Sequence, residues 1–141
     1  VYKRQILDRM STTKPSLEVT PVTSPEEILA ARELVDVIVV DPRIREYIVD
    51  IVMATRNPAA YNLPLNDLIQ FGASPRATIN LTIASKANAF LEGRAYVIPQ
   101  DVKEIAMDVL RHRVILTYEA EAEEKTPEDL IQEVLRVIPV P

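Results

Sequence analysis

Apolar residues recur along this chain at three- and four-residue spacing, in blocks separated by prolines, and four of the five blocks open on an oxygen-bearing side chain followed by proline. A residue of that kind satisfies free N–H groups at a helix start, and proline suits the first helical position because its missing N–H would be unpaired there anyway. Ser24-Pro25-Glu26-Glu27 adds a capping-box glutamate and is followed by Ile28, Leu29, Leu34, Val35 and Ile38, which predicts a helix over about 25–38. Asp41-Pro42 predicts a second helix, with Ile44, Ile48, Ile51 and Val52 on one face and an end near Arg56, before Asn57-Pro58. Ser74-Pro75 begins a third, running to Glu92 with Gly93 as its stop. Pro99 opens a fourth, where Val102, Ile105, Ala106, Val109 and Leu110 form one stripe. Thr126-Pro127-Glu128-Asp129 starts a fifth, carrying Leu130, Ile131, Val134 and Leu135 and ending before Pro139.

Five short amphipathic helices bury their stripes against one another most simply as a small bundle, so the predicted fold class is all-α with little or no β structure. Strand candidates are limited to Arg94–Val97 and Val114–Thr117, and the Val39-Val40 link is a candidate extended segment. Ile6, Leu7 and Met10 read as the last turns of an upstream helix, and residues 11–23 read as an extended connector with two prolines and no helical period. The expected division is therefore 1–23, end of a helix plus connector, and 24–141, the helical domain. Residues 57–72 read as a long loop, either a surface insertion or a ligand-gripping segment.

Composition removes several function classes. The chain of 141 residues has no Cys and one His, which leaves no thiolate or multi-histidine metal site, no disulfide and no cysteine nucleophile. With only Gly72 and Gly93 there is no glycine-rich phosphate loop. A serine triad would have to use His112, which lies between Arg111 and Arg113 where positive charge complements a helix end. The acidic run Glu119, Glu121, Glu123 and Glu124 lacks the glycine and ligand alternation of a calcium loop and reads as a solvated face. Asp101 and Glu104 read as first-turn acids and surface charge. A net charge of −5 argues against nucleic acid, and a helix-turn-helix reader would have only Arg76 and Lys86 on its best candidate helix. No apolar run is long enough to cross a bilayer and no signal-peptide core follows Val1, so a cytoplasmic setting is expected. The start without Met, in mid-helix pattern, predicts a piece of a longer protein.

One segment stands out chemically. With Ser74 as N-cap and Pro75 at the first position, Arg76 falls in the first turn of the third helix, where the macrodipole disfavours a cation. Its spacing to Ile79, Ile83 and Phe90 predicts a place at the end of a packing stripe. Either this is an ordinary surface arginine, or the helix end and the guanidinium together face a phosphate.

Gly72-Ala73-Ser74-Pro75-Arg76-Ala77, Ala89-Phe90-Leu91-Glu92-Gly93-Arg94 and Val97-Ile98-Pro99-Gln100-Asp101-Val102 stand in the order and spacing of the C-terminal lid of MoxR-type AAA+ ATPases, which the chain resembles. Val109 to Arg113, Leu116 to Glu121, Ile138 to Pro141, Pro21 to Glu27 and Ile51 to Arg56 extend the resemblance from about residue 5 to the end. It implies that Arg76 is the sensor 2 arginine, catalytic through the terminal phosphate of ATP, with Ser74, Pro75 and Ala77 beside the nucleotide and no metal held by this domain itself. It further implies magnesium-ATP in the longer protein and contact with the ATPase large domain of the same and a neighbouring subunit. A homo-oligomeric ring, usually a hexamer, and chaperone-like remodelling with von Willebrand factor A-domain partners complete the expectation. Arg56 is a second candidate for the nucleotide side or the subunit interface, against simple complementation of its helix end. Walker A and Walker B motifs are not in this chain, so alone it is expected to be helical, monomeric and without ATPase activity. The alternative is a helical interaction module with no nucleotide role.

Overall fold

Four of the five prolines that open apolar blocks in the sequence are first residues of helices in the computed structural model, and Pro75 stands just before one; the structure describes residues 2–11, 13 and 19–141. By its internal contacts the chain divides into two units, residues 1–30 and 31–141. The first holds α1 (Tyr2–Met10) and the start of α2 (Pro25–Asp36). The α2 cap is the one its sequence predicts: the Ser24 hydroxyl accepts from Glu27 N–H at 3.2 Å, and the Glu27 carboxylate accepts from Ser24 N–H at 2.8 Å. The Ser24 N–H and the Thr23 hydroxyl, both donating to it, hold the Glu27 carboxyl below the usual glutamate range. Of the expected connector 11–23, residues 12 and 14–18 lie outside the described residues; 19–23 carry no regular element.

The second unit contains the core. In α3 (Pro42–Arg56) the Asp41 carboxylate accepts from Arg43 N–H at 2.9 Å, and Ile44, Tyr47, Ile48, Ile51, Val52 and Thr55 are buried. In α5 (Pro99–Leu110) the predicted stripe is inside, with Ile105 packed at its edge. In α7 (Pro127–Val137) Thr126 and Asp129 close a capping box, and Leu130, Ile131 and Val134 are buried. One helix has no counterpart among the five predicted: α6 (Tyr118–Ala122), a short element capped by Thr117 within the acidic run, with only Ala120 buried. Its glutamates do face solvent, so the reading of their faces stands while the helix beneath them carries too little apolar signal to be seen.

The helix α4 (Arg76–Leu91) corrects the expected packing face. Its buried line is Ala77, Leu81, Ser85 and Ala89, whereas Ile79 and Ile83 are 59% and 54% exposed. Apolar residues surround α4, so periodicity does not choose a face. The line of small side chains wins because it permits close approach to α5, its most extensive helix neighbour. Gly93 ends α4 at φ 70°, with Gly93 N–H donating to Phe90 O and Arg94 N–H to Ala89 O, the paired bonds of a left-handed helix stop.

Both strand candidates pair locally. Segment β2 (Ile115–Leu116) lies antiparallel to β1 (Ile69–Phe71), in register Ile69 to Leu116 and Phe71 to Ile115, and Tyr96 makes an isolated parallel bridge with Val39. The 57–72 stretch is packed into the domain rather than laid over it as a surface insertion. It forms a 3-10 turn at Pro58–Tyr61, buries Leu63 and Leu65 in the core, and ends in β1.

Candidate functional site

The site is built where the segment after β1 crosses the C-terminal turn of α3. Thr55, almost fully buried, donates its hydroxyl hydrogen to Val52 O at 2.7 Å and accepts from Ala73 N–H at 3.0 Å. The next residue, Arg56, donates from Nη1 to Ala73 O at 3.2 Å. Both backbone groups of Ala73 are thus held by consecutive side chains of α3. Gly72 precedes them so closely that a Cβ there would sit 2.2 Å from Thr55 O, far inside contact distance, so only glycine fits.

This clamp delivers the start of α4 to the surface. Ser74, Pro75 and Arg76 are exposed and Ala77 is fully buried. Ser74 does not cap the helix with its hydroxyl; instead Pro75, at φ −55° and ψ −24°, is the boundary residue. The first turn is tight, with Ala77 N–H donating to Ser74 O at 2.8 Å and Thr78 N–H to Pro75 O at 3.1 Å. Ala77 therefore has no backbone donor to offer a ligand, and its part is packing. Arg76 makes no hydrogen bond or ion pair among the described residues and is exposed, as are Ile79 and Ile83 further along α4. The exposed isoleucines continue into a groove of about 350 Å³ between α3 and α4, flanked by Arg45, Val49, Thr78 and Thr82.

At the other end of α4 the structure revises a second reading. Asp101 is 1% exposed, not a surface acid. Arg94 grips it with two bonds, of 2.7 and 2.5 Å, while Ile98 N–H and Asn88 Nδ2 donate at 2.8 and 3.0 Å. Burial pushes the Asp101 carboxyl up, but the hydrogen bonds from Arg94, Ile98 and Asn88 outweigh it and hold the group below its ordinary range. Glu104 is exposed and joins through Asn88 and Gln100. This network ties the end of α4 to the start of α5 and is structural. His112 meets the Arg113 guanidinium, which also donates to Val109 O, an arrangement with no acid or nucleophile for a triad. Among the described residues there is no cluster able to hold a metal ion, and no helix is long and apolar enough to cross a membrane.

Sequence reasoning singled out Arg76 and Arg56 but not Thr55. The signal was the adjacency Thr55-Arg56 at a helix end, unreadable until Gly72-Ala73 is known to cross it.

Residues 65–134 match the AAA lid domain family. The chain is 40% identical over 142 residues to the chaperone MoxR1 of Mycobacterium tuberculosis, covering 99% of this chain and 37% of that protein. Identity to the protein MoxR of Paracoccus denitrificans is 41% over 107 residues, 71% of this chain and 31% of that one. A crystal structure of a proposed ATPase from Cytophaga hutchinsonii superposes with a TM-score of 0.93 at 37% identity, covering 99% of this chain and 42% of that one. The chain spans less than half the length of each of these relatives.

Proposed function

We propose, for a chain that is an AAA lid domain homologous to the C-terminal region of MoxR chaperones, that it presents Arg76 to the terminal phosphate of magnesium-bound ATP within a longer ATPase. The observation that carries the reading is a cation in the first turn of α4, exposed and without an anionic partner among the described residues, at the end of a segment clamped to α3. A cation is disfavoured at a helix start unless an anion joins it there, and a terminal phosphate is such an anion. Arg76 then stabilises charge on the transferring phosphoryl group, and rigid-body movement of the lid carries nucleotide state between the large domain and a neighbouring subunit. The exposed Ile79 and Ile83 of α4 and Val49 of α3, which line one groove, offer apolar area for such a domain contact.

The wider setting follows from the same reading: a cytoplasmic homo-oligomeric ring, a hexamer by the family resemblance, remodelling a partner protein with a von Willebrand factor A-domain protein. Arg76→Ala in the full-length protein tests the core of it. ATP turnover is expected to fall about a thousandfold, with the fold intact. Wild-type turnover in that variant would leave a helical interaction module with no nucleotide role.

A further inference from the structure

A side-chain cap fixes a helix start only to itself, whereas the start of α4 is fixed to another helix. Its N-terminus has no side-chain cap, and what holds the preceding residues is the last turn of α3: the Thr55 hydroxyl on Ala73 N–H, the Arg56 guanidinium on Ala73 O, and the backbone of Thr55 and Arg56 against Gly72. Ala73 is three residues before Arg76, and the first bond of the helix already returns to Ser74 O. The orientation of the Ala73 peptide therefore sets both the height and the rotation at which α4 begins. Each residue advances a helix by about 100° and 1.5 Å, so a small error at Ala73 reappears directly in where Arg76 points.

We infer that Thr55, Arg56 and Gly72 are positioning residues for Arg76, a clamp that gives the arginine one fixed place relative to α3. The inference rests on the phosphate-facing reading of Arg76. It also assigns Arg56 a task other than direct contact with nucleotide or simple complementation of the α3 end. Its Nη1 donates to the Ala73 carbonyl, and through that bond it acts on the backbone that leads to Arg76. Thr55 is suited to its place because a hydroxyl can donate to Val52 O and accept from Ala73 N–H at once. Valine would fill the same volume and do neither.

The test is steady-state ATP hydrolysis by the full-length protein carrying Thr55→Val, Thr55→Ser or Arg56→Met, each also combined with Arg76→Ala. Thr55→Val and Arg56→Met are expected to lower kcat by about tenfold to a hundredfold, the effect of a misplacement near 1 Å, with KM for ATP little changed. Thr55→Ser restores the rate, and Thr55→Val and Arg56→Met have no further effect once Arg76 is alanine, because the clamp acts through it. The same proportional loss in both backgrounds, or wild-type kcat in both clamp variants beside a crippled Arg76→Ala, overturns the inference and leaves the role of Arg76 standing. Wild-type turnover by Arg76→Ala overturns the phosphate-facing reading, and the inference with it. If Thr55→Val fails to fold, Arg56→Met decides by the same comparison, since its side chain is exposed.

Discussion

Gly72→Ala is the substitution whose effect is most directly set by the geometry. The added Cβ would lie 2.2 Å from Thr55 O, 2.5 Å from Thr55 C and 2.7 Å from Arg56 N, all backbone atoms that no rotamer change can move. Reaching ordinary contact requires a shift of about 1 Å between the 72–73 segment and the end of α3, an overpacking that costs about 1–3 kcal/mol. That shift stretches the 3.0 Å bond from Ala73 N–H to Thr55, leaving a buried donor unpaired at a further cost of about 1–3 kcal/mol. Reduced freedom of the unfolded chain returns less than about 1 kcal/mol, so the net loss is about 3 kcal/mol. With an unfolding entropy near 0.3 kcal/mol/K for a chain of this length, Tm falls by about 10 °C. Thermal unfolding followed by far-ultraviolet circular dichroism measures it. A variant melting within about 2 °C of wild type would refute the close approach on which the clamp depends.

Gly93→Ala probes the opposite case: its Cβ meets nothing within 4 Å but φ is 70°, so only backbone strain acts and the cost is about 1 kcal/mol by urea unfolding. Leu81→Ala is expected to cost about 2–5 kcal/mol and Ile79→Ala less than about 0.5 kcal/mol, and a reversed order would return the core to the other face of α4. Asp101→Ala removes a buried, ion-paired carboxylate and should cost about 3 kcal/mol. Because folding lowers the pKa of Asp101, its contribution is present above the ordinary aspartate value of 3.8 and is lost as pH falls through the lower folded value. Urea midpoints between pH 6 and pH 3 should show a decline to which Asp101 contributes, and Asp101→Asn should make it shallower.

Helix starts were the most legible part of the fold because their signal is local: Ser24 with Glu27, Asp41 and Thr126 with Asp129 cap where their order predicts. Ser74 failed as a cap because the α3 clamp, a contact made across many residues, already fixes the segment. The α4 face was misread for a related reason. Ile79 and Ile83 are the more apolar choice, and although the small side chains Ala77, Ala84, Ala87 and Ala89 mark in the sequence where a neighbouring helix could come close, the buried line is Ala77, Leu81, Ser85 and Ala89. Asp101 looked like an ordinary first-turn acid, since its burial depends on Arg94, brought within reach by the turn at Gly93. Of the site, the exposed arginine at a helix start was readable from spacing and its family resemblance. The support beneath it was not, because Thr55 and Ala73 are eighteen residues apart.

The distance from Arg76 to the terminal phosphate is measured directly by a structure of the full-length protein bound to magnesium and a non-hydrolysable ATP analogue. The Arg76 guanidinium is expected within hydrogen-bond reach of a γ-phosphate oxygen, about 3 Å, in at least one nucleotide-bound subunit. An Arg76 that remains in solvent, or pairs with a protein carboxylate while another cation holds the phosphate, would contradict it.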